Sequence, residues 1–332
     1  MINCAIVGAT GLVGSTFLKI LEEKNLPIDN YVLLASSKSK GKKISFLGKE
    51  YIVEELTENS FDNNRFNYAL FSAGGSVSNK FAPIAANNGC IVIDNSSTFR
   101  MKEDVPLVVP EVNADKIFEN KGIIANPNCS TIQAVVALKK LQDKYTLKRV
   151  IYSTYQAVSG AGMTGINDLR NSESGIEPTK LPHKIYNNCI PQIDVFLENS
   201  YTKEEMKLIE ETRKILDLSD LPITATAVRV PIINCHAESI NVELENEFDI
   251  EELKQDLNKV DGLVVLDDIT RNIYPLNTFV DGKDEIFVGR IRRDFSVKNG
   301  INMWVVGDNL RKGAATNAVQ ILEILVNKKL EI

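Results

Sequence analysis

The sequence predicts an α/β chain in two parts, a doubly wound parallel sheet followed by an α+β part with a mostly antiparallel sheet. Three observations carry this. Short apolar runs alternate with helical spacing up to about Pro127. Later runs are longer, alternate more and are joined by few helices. And 332 residues are more than one hydrophobic core usually serves. The boundary falls at Pro127. Residues 1–127 form the first domain, completed by a C-terminal helix over 313–332, and residues 128–312 form the second.

Taken in order, Ile2–Val7 reads as a strand, Gly8–Gly14 as a turn and Ser15–Glu23 as a helix. Tyr31–Ala35 is a second strand. Tyr68–Ser72 and Ile91–Asp94 are short apolar runs bounded by turn residues, which suits buried parallel strands, and Lys80–Asn88 is the crossover helix between them. Gly122–Ala125 is another short strand. After Asn128, the residues Ile132, Val135, Val136, Leu138 and Leu141 keep helical spacing. Val150–Tyr155, Thr224–Val230, Ser239–Leu244, Gly262–Val265, Ile286–Ile291 and Ile301–Val306 read as strands, and Lys203–Leu216 as a charged helix. The last helix, Ala314–Val326, is apolar at Ala315, Ala318, Val319, Leu322 and Leu325, and a helix this late is expected to pack back on the first domain.

Composition excludes several function classes. Hydrophobic residues at 44% and charged residues at 25% are ordinary for a globular chain, and a net charge of -6 without a basic run speaks against nucleic-acid partners. No apolar run approaches a membrane span, and the N-terminus carries no signal-peptide pattern, so the expectation is a cytoplasmic protein without a membrane partner. Five scattered cysteines without a CxxC, and only two histidines, His183 and His236, make a disulfide scaffold or a metal site unexpected.

The turn Gly8-Ala9-Thr10-Gly11-Leu12-Val13-Gly14 follows the first strand and opens a helix. In that context a GxxGxxG turn brings backbone N–H groups to phosphates at a helix N-terminus, the signature of a Rossmann-type nucleotide domain. The second strand ends in Ala35-Ser36-Ser37-Lys38-Ser39-Lys40-Gly41-Lys42, with no acidic residue for a ribose hydroxyl. Hydroxyls and cations suit a 2′-phosphate, so NADP is favoured over NAD.

Among the cysteines, Cys129 has a chemical setting. In Asn126-Pro127-Asn128-Cys129-Ser130-Thr131, proline stops a strand and Asn128 is placed to cap a helix, which puts the thiol at a helix N-terminus. A thiolate beside a nicotinamide can form a thioester that exchanges hydride. Such chemistry needs a proton shuttle. His236 follows Val230-Pro231-Ile232-Ile233-Asn234-Cys235 and is expected on a loop at a strand end rather than in a core, with His183 as the rival.

At this point the residues become recognisable. The chain resembles the bacterial aspartate-semialdehyde dehydrogenases at Gly8–Gly14, Phe71–Ser76, Asp94–Arg100, Val109–Asn113, Asn126–Thr131, Gln156–Gly162, Ile190–Asp194, Glu204–Lys207, Arg229–Pro231 and Gly307–Ala314, in order along nearly the whole chain. The resemblance implies NADPH-dependent reductive dephosphorylation of L-aspartyl 4-phosphate to L-aspartate 4-semialdehyde, in the biosynthesis of lysine (via diaminopimelate), threonine, methionine and isoleucine. It implies Cys129 as nucleophile, His236 as acid/base and Gln156 as a substrate-holding partner of the thioester. Arg229 would pair with the substrate carboxylate, Glu204 with its ammonium, and Arg100, Asn128 and Lys207 with phosphate. Gly8, Thr10, Gly11, Leu12, Val13, Lys38, Ser39, Ser159, Gly160 and Asn309 would contact NADP. A homodimer or homotetramer is implied, and no metal.

The charges of the substrate support these roles, since an arginine fork suits a carboxylate, a carboxylate suits an ammonium and cations suit an acyl phosphate. The nearest alternative, N-acetyl-glutamyl-phosphate reductase, handles an acetamide and has no need of Glu204. A catalytically silent NADP-binding relative is the alternative from another class, and the retained Cys129, Gln156, Arg229 and His236 argue against it. One departure stands out. The family commonly has glycine before the catalytic histidine, and this chain has Cys235.

Overall fold

The structure is a computed structural model that describes residues 1–330, so the last two residues of the helical segment expected over 313–332 lie outside the described residues. The chain divides into two compact units. One holds residues 1–127 and the described residues from 314 on, and the other holds residues 128–313.

The first unit opens with β1 (Asn3–Val7), α1 (Leu12–Lys24) and β2 (Asn30–Ala35). A hairpin of β3 (Lys43–Phe46) and β4 (Lys49–Ile52) and the short β5 (Glu54–Glu55) follow. Next come β6 (Tyr68–Phe71), α2 (Gly75–Asn87), β7 (Ile91–Asp94), the one-turn α3 (Pro110–Asn113) and β8 (Ile123–Ala125). Six strands pair in the order β5-β2-β1-β6-β7-β8, all parallel. The order reverses at β1, which is where doubly wound sheets bind ligands. The crossover helix α2 starts five residues earlier than expected, directly after Gly74, and carries Pro83 inside it.

The second unit begins with α4 (Cys129–Tyr145), β9 (Leu147–Gln156), α5 (Gly162–Glu173) and α6 (Lys203–Leu216). It continues through β10 (Ile223–Arg229), β11 (His236–Leu244), α7 (Ile250–Leu257), β12 (Leu263–Val265), the short α8 (Asn277–Val280), β13 (Ile286–Asp294) and β14 (Gly300–Gly307). The sheet order is β10-β9-β11-β14-β13-β12. The three central pairings are antiparallel and the two outermost are parallel, so the sheet is mixed with an antiparallel middle. On β9 the residues Tyr152, Thr154 and Gln156 are buried, and on β11 so are His236, Glu238 and Ile240. This period of two marks the sheet face that α4 and α6 cover.

Local chemistry fixes both covering helices. Asn128 caps α4 with its side-chain oxygen, which accepts from the N–H groups of Ser130 (3.0 Å) and Thr131 (3.4 Å). Thr202 and Glu205 form a capping box at the start of α6, and Glu205 also accepts from the backbone of Ala227 at 3.0 Å, tying that helix to β10.

The chain ends in a π-turn at Arg311–Ala315 and α9 (Thr316–Leu330). Ala318, Ile321, Leu322 and Leu325 of α9 share one core with Phe17, Ile20 and Leu21 of α1 and with the strands of the first unit. The Tyr68 hydroxyl donates to the carbonyl of Leu325 at 3.2 Å. Among the described residues no helix is long and apolar enough to cross a membrane.

Candidate active site

Strand register assembles the second unit's polar cluster. Arg229 ends β10 directly opposite Gln156, the end of β9. His236 starts β11 opposite Gly307, the end of β14, and the neighbouring pair Ala237–Tyr155 sets His236 level with Gln156. One row across the sheet edge thus carries guanidinium, carboxamide and imidazole. Cys129 is the first residue of α4, half-buried, in a helix whose first turn has no acidic residue.

Glu204 is the hub of this cluster. It is buried on α6, and its Oε1 accepts from Asn128 Nδ2 (2.9 Å) and Gln156 Nε2 (3.0 Å), while its Oε2 accepts from Lys207 Nζ (3.0 Å). Burial pushes its carboxyl up, but the charge of Lys207 and the hydrogen bonds of Gln156, Asn128 and Lys207 outweigh it and bring it down to about 2. Glu204 is therefore an anion at neutral pH. Lys207 is shared with Asp194 at 3.0 Å. Burial pulls its ammonium down, and Glu204 and Asp194 lift it above its ordinary value.

His236 corrects one expectation. It is the first residue of β11 and fully buried in the core, not on a loop. The α4 helix and the residues after β9 close over the strand start and exclude water from the ring. Its Nδ1 accepts from the Ala157 backbone N–H at 3.0 Å, so the neutral ring carries its proton on Nε2. That nitrogen is buried and has no partner among the described residues. Burial, then the Arg229 charge, push the imidazole down to about 3, against the opposing pull of Glu204. Arg229 lies in the same space. One of its nitrogens donates to the Ala157 carbonyl at 2.6 Å, and its Nε is buried without a partner. A Cβ on Gly160 would stand 3.1 Å from Arg229 and 3.4 Å from the His236 ring, so this glycine borders both.

The other expected residues divide between the units. Ser159 and Asn309 are bonded to each other at 2.9 Å in the second unit, where the Asn309 side-chain oxygen also accepts from Cys235 N at 2.9 Å. Gly8, Thr10, Gly11, Leu12, Val13, Lys38 and Ser39 are in the first. There Gly8 has φ +85°, and a Cβ on it would fall 2.3 Å from the Ser72 carbonyl oxygen; one on Gly14 would fall 2.0 Å from that of Gly8. The α1 N-terminus has no side-chain cap and no acidic residue in its first turn. The N–H groups of Gly8, Ala9 and Gly11 are taken by backbone carbonyls, and this turn that only glycine permits opens a helix N-terminus, a cradle suited to a dinucleotide's phosphates. Thr10 and Ser39 hydroxyls meet at 3.3 Å beside the exposed Lys38. Arg100 also belongs to the first unit. It is buried, with a nitrogen donating to the Asn95 carbonyl at 3.0 Å, which rules out a mere surface cation.

Cys235 sits at φ +68°, the left-handed region where glycine is at ease. Its thiol lies with Ala237, Val280, Phe287 and Val306 in an apolar cluster, and burial, with Asp308 and Asp281 nearby, pushes it well up. It is an inert thiol at neutral pH. His183 is exposed on the segment after α5.

Several supporting groups escaped the sequence. Glu211 Oε2 accepts from the Asn128 backbone at 2.6 Å and so fixes the helix start under Cys129. The Ala157 backbone sets both the His236 tautomer and one arm of Arg229. The Thr202–Glu205 capping spacing is the local signal that could have revealed Glu205, whereas Glu211 and Ala157 carry none.

Comparison with known proteins gives the family. Residues 3–120 match the family described as semialdehyde dehydrogenase, NAD binding domain, and residues 138–312 match semialdehyde dehydrogenase, dimerisation domain. An aspartate-semialdehyde dehydrogenase of Aquifex aeolicus is 54% identical, with 98% of each chain covered. A crystal structure of aspartate semialdehyde dehydrogenase II from Vibrio cholerae, described as complexed with ASA, superposes with a TM-score of 0.95 at 47% identity over 98% of both chains. A Candida albicans aspartate semialdehyde dehydrogenase structure with NADP gives 0.77 at 26% identity, again over 98% of both.

Proposed function

The chain belongs to the aspartate-semialdehyde dehydrogenases, and from that premise we propose that it reduces L-aspartyl 4-phosphate to L-aspartate 4-semialdehyde through a thioester on Cys129. The observation that carries this is the row of Arg229, Gln156 and His236 at one sheet edge, with Cys129 at a helix N-terminus in the same unit. The cofactor is NADPH, supported by Lys38 and Ser39 after β2 and by the NADP of the Candida relative. When bound, it supplies the hydride.

Each residue then has a chemical task. The α4 N-terminus and the Arg229 charge favour the Cys129 thiolate, which attacks C4 of the acyl phosphate. The C–O bond to phosphate breaks, phosphate leaves and a thioester remains. After reduction at that carbon the C–S bond breaks, releasing the aldehyde and restoring the thiolate. His236, neutral at working pH, offers its Nε2–H to the oxygen that gains charge, a refinement of the acid/base role the resemblance implies. Arg229 holds the substrate carboxylate with the arms its Ala157 contact leaves over. Glu204 receives the ammonium as a further contact and holds Gln156 and Asn128 in place. Lys207 and Asn128 of the second unit and Arg100 of the first would serve as phosphate ligands, and Ser159, Gly160 and Asn309 would contact NADP.

The product aldehyde places the enzyme in the biosynthesis of lysine through diaminopimelate, and of threonine, methionine and isoleucine. The working form is a cytoplasmic homodimer or homotetramer, for which the dimerisation domain speaks and sedimentation is the check. The deciding assay is phosphate-stimulated NADP reduction by the purified chain with L-aspartate 4-semialdehyde, run beside N-acetylglutamate semialdehyde. Dominant turnover of the second aldehyde overturns the proposal.

A further inference from the structure

Glu238 is a carboxyl that the proposed chemistry does not use. It follows His236 by two residues on β11, so both side chains leave the same sheet face. It is fully buried, and among the described residues no cation pairs with it; Glu204, of like charge, is the charged group that acts on it. The Ser130 hydroxyl and the Gln133 amide face it from the start of α4, just behind Cys129. Neither carboxyl oxygen is yet in hydrogen-bond alignment, and Ser130 Oγ and Gln133 Oε1 are likewise buried without partners.

Donor and acceptor accounting decides the form of the acid. Gln133 Nε2 donates one N–H to the His236 carbonyl at 3.3 Å and keeps a second, while its Oε1, an acceptor, is buried and lacks a donor. Gly307 makes room for that amide, since a Cβ there would stand 2.8 Å from Gln133 Oε1. A carboxylate would have no cation to offset its burial and would leave Gln133 Oε1 without a donor. A carboxylic acid donates to Gln133 and accepts from Ser130. Burial, with Glu204, pushes the Glu238 carboxyl well above its ordinary range and outweighs the opposing pull of the Gln133 and Ser130 hydrogen bonds.

We propose that Glu238 is a neutral acid closing a buried hydrogen-bond chain from the Ser130 hydroxyl through Gln133 to the His236 carbonyl, and that this chain sets the spacing between Cys129 and His236. Glu238 is a positioning residue that acts through these two, and the inference rests on their proposed role as the reacting pair. Infrared difference spectra between the wild type and Glu238→Gln show a protonated carboxyl band at neutral pH. Glu238→Gln also melts higher than the wild type there, because the unfolded chain no longer gains by ionising residue 238. Glu238→Ala lowers kcat by roughly 10- to 100-fold with the KM for NADP unchanged, and Glu238→Gln restores most of that loss. A missing band, or a Glu238→Gln that melts lower, overturns the neutral form. Full kcat in Glu238→Ala, or a Glu238→Gln as impaired as Glu238→Ala, overturns the positioning role. Should Glu238→Ala not fold, the infrared band and the kcat of Glu238→Gln decide. Inactivity of Cys129→Ala tests the proposed function separately, since the infrared band does not depend on it.

Discussion

The glycine turn of the first unit and the thiol cluster of the second both prepare for charged guests, but with different parts of the chain. At Gly8–Gly14 the groups proposed to meet phosphate are backbone N–H donors, and the side chains contribute by being absent. At Cys129 the groups are side chains from α4, α6, β9, β10 and β11, each held by a second side chain or a backbone group. A backbone site is local in sequence and tolerates any residue that leaves the loop open. A side-chain site depends on register, and its groups carry buried charges that must be balanced on the spot.

This contrast can be broken, beginning with the largest expected effect. Cys129→Ala should lower turnover by roughly 10⁴-fold or more while leaving NADPH binding, followed by fluorescence titration, intact. Turnover near wild type removes Cys129 from the chemistry. Arg229→Ala should cost about 10²- to 10³-fold in kcat/KM for the aldehyde, and Arg229→Lys should recover only part, because an ammonium lacks the planar fork that grips a carboxylate with two parallel bonds while another arm holds the Ala157 carbonyl. Equal recovery by lysine would mean that charge alone matters there. Gly8→Ala tests the other region. A Cβ 2.3 Å from the Ser72 oxygen should lower the melting temperature and NADPH affinity together, and an unchanged affinity would refute the cradle.

Two smaller effects sharpen the comparison. Lys38→Glu should shift preference from NADP toward NAD by roughly tenfold without touching kcat, measured as the ratio of kcat/KM values. An unchanged ratio would exclude Lys38 from the 2′-phosphate site. Stability should also depend on acid through the thiol cluster. The His236 imidazole is held at about 3 against an ordinary 6.5, and the Glu204 carboxyl at about 2 against 4.5. In both cases the unfolded chain takes up the proton first, so the stabilisation is present above the unfolded value and is lost as pH falls. Thermal melts should therefore drop from pH 6.5 downward, and His236→Asn should flatten the upper part of that fall. A His236→Asn profile parallel to wild type would show the ring already ionised in the fold.

Legibility follows the same division. The turn Gly8–Gly14 was visible because three glycines at this spacing, between a strand and a helix, permit a tight backbone turn that bulkier residues would block. The Lys203–Leu216 helix was visible as a charged helical stretch, and the structure gives it the same ends, its start set by the Thr202–Glu205 capping box. Cys129 was visible through Pro127 and Asn128, whose local effects are strong. The burial of His236 was not, because a proline-containing approach reads like a loop and nothing nearby in sequence tells that α4 covers the start of β11. At Cys235 the family's glycine hinted at a special backbone, but the positive φ itself is imposed by surroundings, here Asn309 and Asn277, which bond to its N–H and C=O.

The sequence alone pointed to the doubly wound parallel sheet through its alternation of strand and helix patterns, and to the glycine turn and a thiol at a helix start, because these patterns and signals are local in the chain. The tertiary structure decided that Arg229, Gln156 and His236 share one row, that Glu204 is an anion tied to Asn128, Gln156 and Lys207, and that the His236 proton resides on Nε2. Those facts depend on strand register and on burial, which arise only when segments far apart in the chain pack together and exclude water.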